Sequence, residues 1–169
     1  MKKEKIIEGL KMALQTELNG IQFYKMAAEK TVDEKGKQVF NILSNDEIKH
    51  FNILQKNYSS LIKSDKWAAS ISLGKSSVFE GESPIFSEEL KSRIKEKHFE
   101  VAALSIGALL ESNSIDFYRK MKECVDNSKA KKLFSELQEW EEGHLEAITK
   151  QLDLIKEEYW AEQHFTPLF

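Results

Sequence analysis

The sequence predicts an all-α protein: a four-helix bundle made of two helix pairs joined by a long crossover. Three observations predict it. Only two prolines and seven glycines interrupt 169 residues, so long runs of strong helix formers stand unbroken. Apolar residues recur at helical spacing in four separate stretches. Between the second and third stretches the periodicity fails over a segment long enough to carry the chain along the length of a bundle.

The first helix is expected over about residues 3–29, with Leu10, Ala13, Leu14, Leu18, Ile21, Tyr24 and Ala28 on its inner face. Glu17 lies inside that apolar stripe. Thr31 followed by Glu34 has the spacing of a capping box, which would make Thr31 the N-cap of a second helix running to about residue 62. Its inner face reads Val39, Phe40, Leu43, Phe51, Leu54, Tyr58 and Leu61, and Glu47 and His50 fall on that face. The connection spans about residues 59–96, punctuated by Gly74, Gly81 and Pro84. Trp67, Phe79, Ile85 and Phe86 would anchor it to the bundle, and Ser87 to Leu90 could open a short helix.

The third helix is expected over about residues 97–123, with Val101, Leu104, Ala108, Ile115 and Tyr118 inward and Glu111 among them. Asp126 would cap the fourth helix, over about residues 127–158. Its stripe is Ala130, Leu133, Phe134, Leu137, Leu145, Ile148, Leu152 and Ile155, with Glu141 and His144 in line. An apolar tail over residues 160–169 completes a single domain.

Composition excludes several classes. A formal net charge of −3 with interspersed signs gives no electrostatic case for nucleic acid or an anionic membrane. The lone Cys124 can form neither an internal disulfide nor a thiolate cluster, and suits a packing position at a helix end. The basic start runs into amphipathic helix rather than a signal-peptide core. No apolar run reaches the roughly 18 residues of a spanning helix. A soluble, cytoplasmic protein is expected.

The sequence is internally repeated at an offset of 94 residues, the distance from Glu17 to Glu111. The same offset carries Ile21 to Ile115, Phe23 to Phe117, Tyr24 to Tyr118, Phe40 to Phe134, Leu43 to Leu137, Glu47 to Glu141 and His50 to His144. No gap is needed. Glu47-Ile48-Lys49-His50 is a weak motif alone, because a Glu-rich chain produces Glu-x-x-His by chance. Its second copy in Glu141-Glu142-Gly143-His144, with a matched Glu one helix earlier in each half, changes its weight.

Six residues thus converge on the bundle interior: Glu17, Glu47, His50, Glu111, Glu141 and His144. Four buried carboxylates repel one another unless protons or cations lie between them. Oxygen and imidazole donors without sulfur suit two iron ions, with manganese or zinc also acceptable. The set matches the known di-iron carboxylate bundle pattern. Glu47 and Glu141 would bridge the ions, and Glu17 and Glu111 would each bind one. Tyr24 and Tyr118 could hydrogen-bond those carboxylates or carry protons and radicals. His98 and His164 lie outside the repeat and are expected at the surface, as is Glu142.

At Glu17 with Tyr24, Asp46-Glu47-Ile48-Lys49-His50, Glu111 with Phe117-Tyr118, and Glu141-Glu142-Gly143-His144, the chain resembles the ferritin-like superfamily. Within it the chain is most similar to rubrerythrin-type di-iron domains, from about residue 3 to residue 158. Two departures stand out. Rubrerythrins usually carry a rubredoxin domain with four iron-binding cysteines, which Cys124 alone cannot supply. They also typically place an extra Glu one turn after the third-helix ligand, where this chain has Ser114. The ligand set is therefore nearer the symmetric arrangement of bacterioferritin-like proteins.

The resemblance implies an oxidoreductase reacting with hydrogen peroxide or dioxygen, re-reduced by a separate electron-donor protein. The alternatives are an iron-storage protein with a ferroxidase centre, a di-iron oxygenase acting on an organic substrate, and a bundle that binds little metal. The apolar tail makes a homodimer or higher oligomer the expected assembly.

Overall fold

The computed structural model describes residues 3–68, residue 73 and residues 98–162. Four helices run through them: α1 (Lys3–Lys30), α2 (Glu34–Ser64), α3 (His98–Cys124) and α4 (Ser128–Glu162). There is no strand among the described residues. Helices α1 and α2 form one tightly packed pair and α3 and α4 the other, with α1 also packed against α3. This is the expected all-α bundle of two helix pairs. No helix among the described residues is long and apolar enough to cross a membrane.

The turn between α1 and α2 corrects one expectation. Asp33, not Thr31, is the N-cap of α2: it is extended (φ −85°, ψ 119°) and its Oδ1 accepts from the Gly36 N–H at 2.7 Å. Thr31 cannot take that role because its own N–H still bonds Ala27 as part of the end of α1, at 3.0 Å. Its hydroxyl instead crosses the bundle to donate to buried Glu100 at 2.9 Å. A shift of one residue occurs before α4. Asn127 Oδ1, rather than Asp126, accepts from the N–H groups of Lys129 and Ala130 at 2.9 and 3.2 Å. At the far end α4 continues to Glu162, so Trp160 is helical rather than the first residue of a tail.

Helix α2 stops where Asp65 turns left-handed (φ 57°) and returns its N–H to Leu61. Trp67 then packs edge-on against Phe134 at 6.4 Å, and Leu73 is buried in the same cluster. The remaining expected anchors Phe79, Ile85 and Phe86, the short helix at Ser87, and the tail with His164 lie outside the described residues.

The core is split into two apolar clusters. One contains Leu10, Ala13, Ile53, Leu54, Tyr118, Phe134 and Leu137. The other contains Tyr24, Ala27, Phe40, Leu43, Leu104, Ile148 and Leu152. On each helix the numbers leave a gap between the clusters, and Glu17, Glu47, His50, Glu111, Glu141 and His144 fall in those gaps. Hydrophobic burial on both sides therefore fixes the height of a polar layer in the bundle. The sequence repeat is visible in the packing: Phe40 stacks on Tyr24 at 6.3 Å, and Phe134 on Tyr118 at 6.2 Å.

Leu18 departs from the expected inner stripe and is 37% exposed. The inward line of α1 runs through Ala13, Glu17, Gly20 and Tyr24, all buried. Leu18 follows Glu17 by about 100° of helical rotation, which puts it at the edge of the face. Cys124 ends α3 and is exposed, rather than packed.

Candidate metal centre

Each helix contributes to the polar layer because its side chains at i and i+3 or i+4 share a face. Glu47 and His50 leave α2 together, Glu141 and His144 leave α4 together, and Glu17 and Glu111 enter from α1 and α3. None of the six is more than 3% exposed. The structure brings all six into one cluster.

The two imidazoles aim Nδ1 at the carboxylates. His50 Nδ1 lies 3.0 Å from Glu47 Oε2 and 3.3 Å from both Glu17 Oε2 and Glu141 Oε1. His144 Nδ1 lies 3.2 Å from Glu141 Oε2, 3.7 Å from Glu47 Oε1 and 3.8 Å from Glu111 Oε2. The rings themselves are 5.9 Å apart and nearly parallel, at 25°. Two overlapping donor groups result. Glu17, Glu47, His50 and Glu141 have ligand atoms within 4.8 Å of one another, and so do Glu47, Glu111, Glu141 and His144. Glu47 and Glu141 belong to both groups, whereas Glu17 and Glu111 belong to one each.

The tyrosines tie the halves together crosswise. Tyr24 on α1 donates its hydroxyl to Glu111 on α3, and Tyr118 on α3 donates to Glu17 on α1. Burial pushes both phenols well above their ordinary range, reinforced by the Glu111 charge at Tyr24 and the Glu17 charge at Tyr118. Both therefore stay protonated and act as fixed donors.

Without cations, the cluster must share protons. Burial, then the charges of Glu141, Glu111 and Glu17, push Glu47 well above the carboxylate range. Burial and Glu141 raise Glu111 to about 8, against the lowering effect of His144. Burial alone would lower both histidines. The surrounding groups outweigh it: Glu141 and Glu17 at His50, and Asp46, Glu111 and Glu141 at His144. Glu141 is the exception, since burial would raise it but the two imidazoles hold it well below its usual range. Four carboxylates and two imidazoles in so small a volume retain protons that a cation would displace. Hard oxygen and imidazole donors without sulfur fit iron, manganese or zinc.

Four residues of this layer were not singled out from sequence. Asp46 is fully buried and its Oδ2 lies 3.4 Å from His144 Nε2. Lys49 reaches Asp46 Oδ1 at 2.6 Å and sits 5.4 Å above the Trp140 ring. Trp140 packs edge-to-face with His50 at 5.1 Å. Gly20 lets α1 close on Glu47, because a Cβ there would stand 3.2 Å from Glu47 Cγ. Asp46 sits beside Glu47 in the quoted motif, so adjacency was its only signal. The repeat was silent because its counterpart at the same offset is Trp140.

The fold and this layer define a class: helical bundles with a buried carboxylate–histidine cluster able to hold metal ions. The chain belongs to the rubrerythrin family, whose sequence profile matches residues 8–152. A search of curated proteins returned no match. Among solved structures, a hypothetical protein from Pyrococcus furiosus shares the fold with a TM-score of 0.61. It is 24% identical, and the match covers 90% of each chain.

Proposed function

We propose that the protein is a di-iron oxidoreductase that reacts with hydrogen peroxide or dioxygen. The observation that carries this reading is the sharing of Glu47 and Glu141 between two donor groups. Two carboxylates common to both groups can bridge a pair of ions, leaving Glu17 with His50 at one and Glu111 with His144 at the other. Such a pair, when bound, supplies the two electrons that with two protons convert hydrogen peroxide to two waters.

The protein's own residues supply the setting. Tyr24 and Tyr118 hold Glu111 and Glu17 in fixed orientations, so the carboxylates need not reorganise. The apolar clusters on either side of the layer exclude bulk water and keep the electrostatics of the site strong. Electrons would return from a separate redox protein. Exposed apolar residues Met12, Ile106 and Leu109 support self-association, most simply as a two-fold dimer.

Stopped-flow mixing of the ferrous-loaded protein with hydrogen peroxide, and separately with dioxygen, tests the proposal. Oxidation much faster than that of free ferrous iron is expected with at least one of them. Oxidation no faster with either would remove it. Light scattering separates the storage alternative, which requires a hollow assembly.

A further inference from the structure

The two halves of the centre are matched in their six donors and unmatched directly behind them. Asp46 and Trp140 are equivalents at the 94-residue offset, each one residue before a shared glutamate. Both are buried. Each reaches the histidine of the opposite half. Asp46, from α2, places Oδ2 3.4 Å from His144 Nε2 on α4. Trp140, from α4, packs against His50 on α2 at 5.1 Å.

The chemistry at those two contacts differs. If Nδ1 of each ring binds a cation, Nε2 must carry the hydrogen and needs an acceptor. His144 has one in Asp46, whose other oxygen is fixed by Lys49 at 2.6 Å. His50 does not: its Nε2 is buried with no hydrogen-bond partner among the described residues. An indole nitrogen is a donor only, so Trp140 cannot supply one. The equivalent of Lys49 is Gly143, so the second half also lacks that cation.

We propose that the two metal positions are unequal. The position closed by His144 and Glu111 takes its ion first and more tightly, and the position closed by His50 and Glu17 fills second. A carboxylate behind a ligating imidazole fixes its tautomer and raises its basicity, and losing such a partner typically lowers metal affinity about 10–100-fold. Lys49 tempers the charge of Asp46 but also pins its orientation. Trp140 instead gives His50 a close apolar wall.

This proposal rests on the metal-centre reading, and its test separates the two. Mutual repulsion makes even equal sites fill in steps, so the order in which named imidazoles respond is the decisive readout. Nitrogen-15 NMR of the histidine rings, recorded as zinc(II) alone is added to the full chain, provides it. The His144 ring signals should shift during the first equivalent and those of His50 during the second. Asp46→Asn should weaken the first step about 10–100-fold and abolish the order. Simultaneous shifts, His50 responding first, or an unchanged order in Asp46→Asn would overturn the inequality while leaving the centre intact. Failure of either ring to respond to zinc would overturn both readings.

Discussion

Tyr24 on α1 donates its hydroxyl to Glu111 on α3, and Tyr118 on α3 donates to Glu17 on α1. The two bonds are the same interaction related by the internal repeat, and each crosses between helix pairs. Tyr24 also anchors the apolar cluster on one side of the layer, and Tyr118 the cluster on the other. The orientation of these carboxylates and the core packing are therefore set by the same side chains.

Tyr24→Phe keeps the ring and removes the donor. It leaves a buried Glu111 oxygen without its partner, a loss of about 1–3 kcal/mol. Urea unfolding of the metal-free protein should show a lower midpoint at an unchanged slope. Tyr118→Phe should behave alike through Glu17. An unchanged midpoint in both variants would mean that these bonds carry no net stability.

The proton-sharing cluster makes metal-free stability depend on pH. Glu111 rises from 4.5 to about 8, so between those values the folded state holds a proton that the unfolded state has released. That contribution is lost as pH rises through about 8. Glu47, His50 and His144, all raised, act in the same direction. Glu141, lowered, loses its contribution only as pH falls below the ordinary carboxylate range. Thermal melts in chelator should therefore show a falling midpoint from about pH 6 to about pH 8.5. The gain on adding metal should grow over the same window. A metal-free midpoint that climbs through it would contradict the cluster's proton sharing.

Gly20→Ala separates folding from binding. The new methyl would meet Glu47 Cγ at 3.2 Å, so the shared carboxylate must move by a few tenths of an ångström. Helix propensity favours alanine by about 1 kcal/mol, which offsets much of the packing cost of about 1–3 kcal/mol. Near-normal thermal stability with weakened metal binding is expected, measured by calorimetric titration. Full affinity in this variant would show that Glu47 has room to spare.

Thr31→Val probes the helix pairs away from the cluster. It removes the hydroxyl that donates to buried Glu100 across the bundle at 2.9 Å. Denaturant unfolding should register a loss of about 1–3 kcal/mol, with metal stoichiometry unchanged. A change in stoichiometry would mean that this bond shapes the site as well as the fold.

The four helices and the six clustered residues were legible because both obey short periodic rules. Apolar residues at helical spacing mark the faces, and the exact duplication of Glu17, Glu47 and His50 as Glu111, Glu141 and His144 marks the site. The caps were legible only to within a residue or two. A Thr-x-x-Glu pattern at Thr31 and an acidic residue at Asp126 were each outcompeted by neighbours, Asp33 and Asn127, whose side chains accept from N–H groups in the first turn of the following helix. Asp46 and Trp140 were hidden for a different reason. Each acts on the histidine of the other half, so neither local spacing nor the repeat marks it, and only the packed bundle brings them into contact.

The most direct test is the iron content of protein reconstituted anaerobically with ferrous iron and desalted, alongside Glu47→Ala and His144→Ala. About two ions per chain are expected in the unaltered protein, because two donor groups share Glu47 and Glu141. Glu47→Ala should fall well below that, since it removes a ligand common to both groups, and His144→Ala should retain about one ion. An unaltered protein that keeps almost no iron, or variants that keep the full amount, would contradict the assignment of this layer as a two-ion centre.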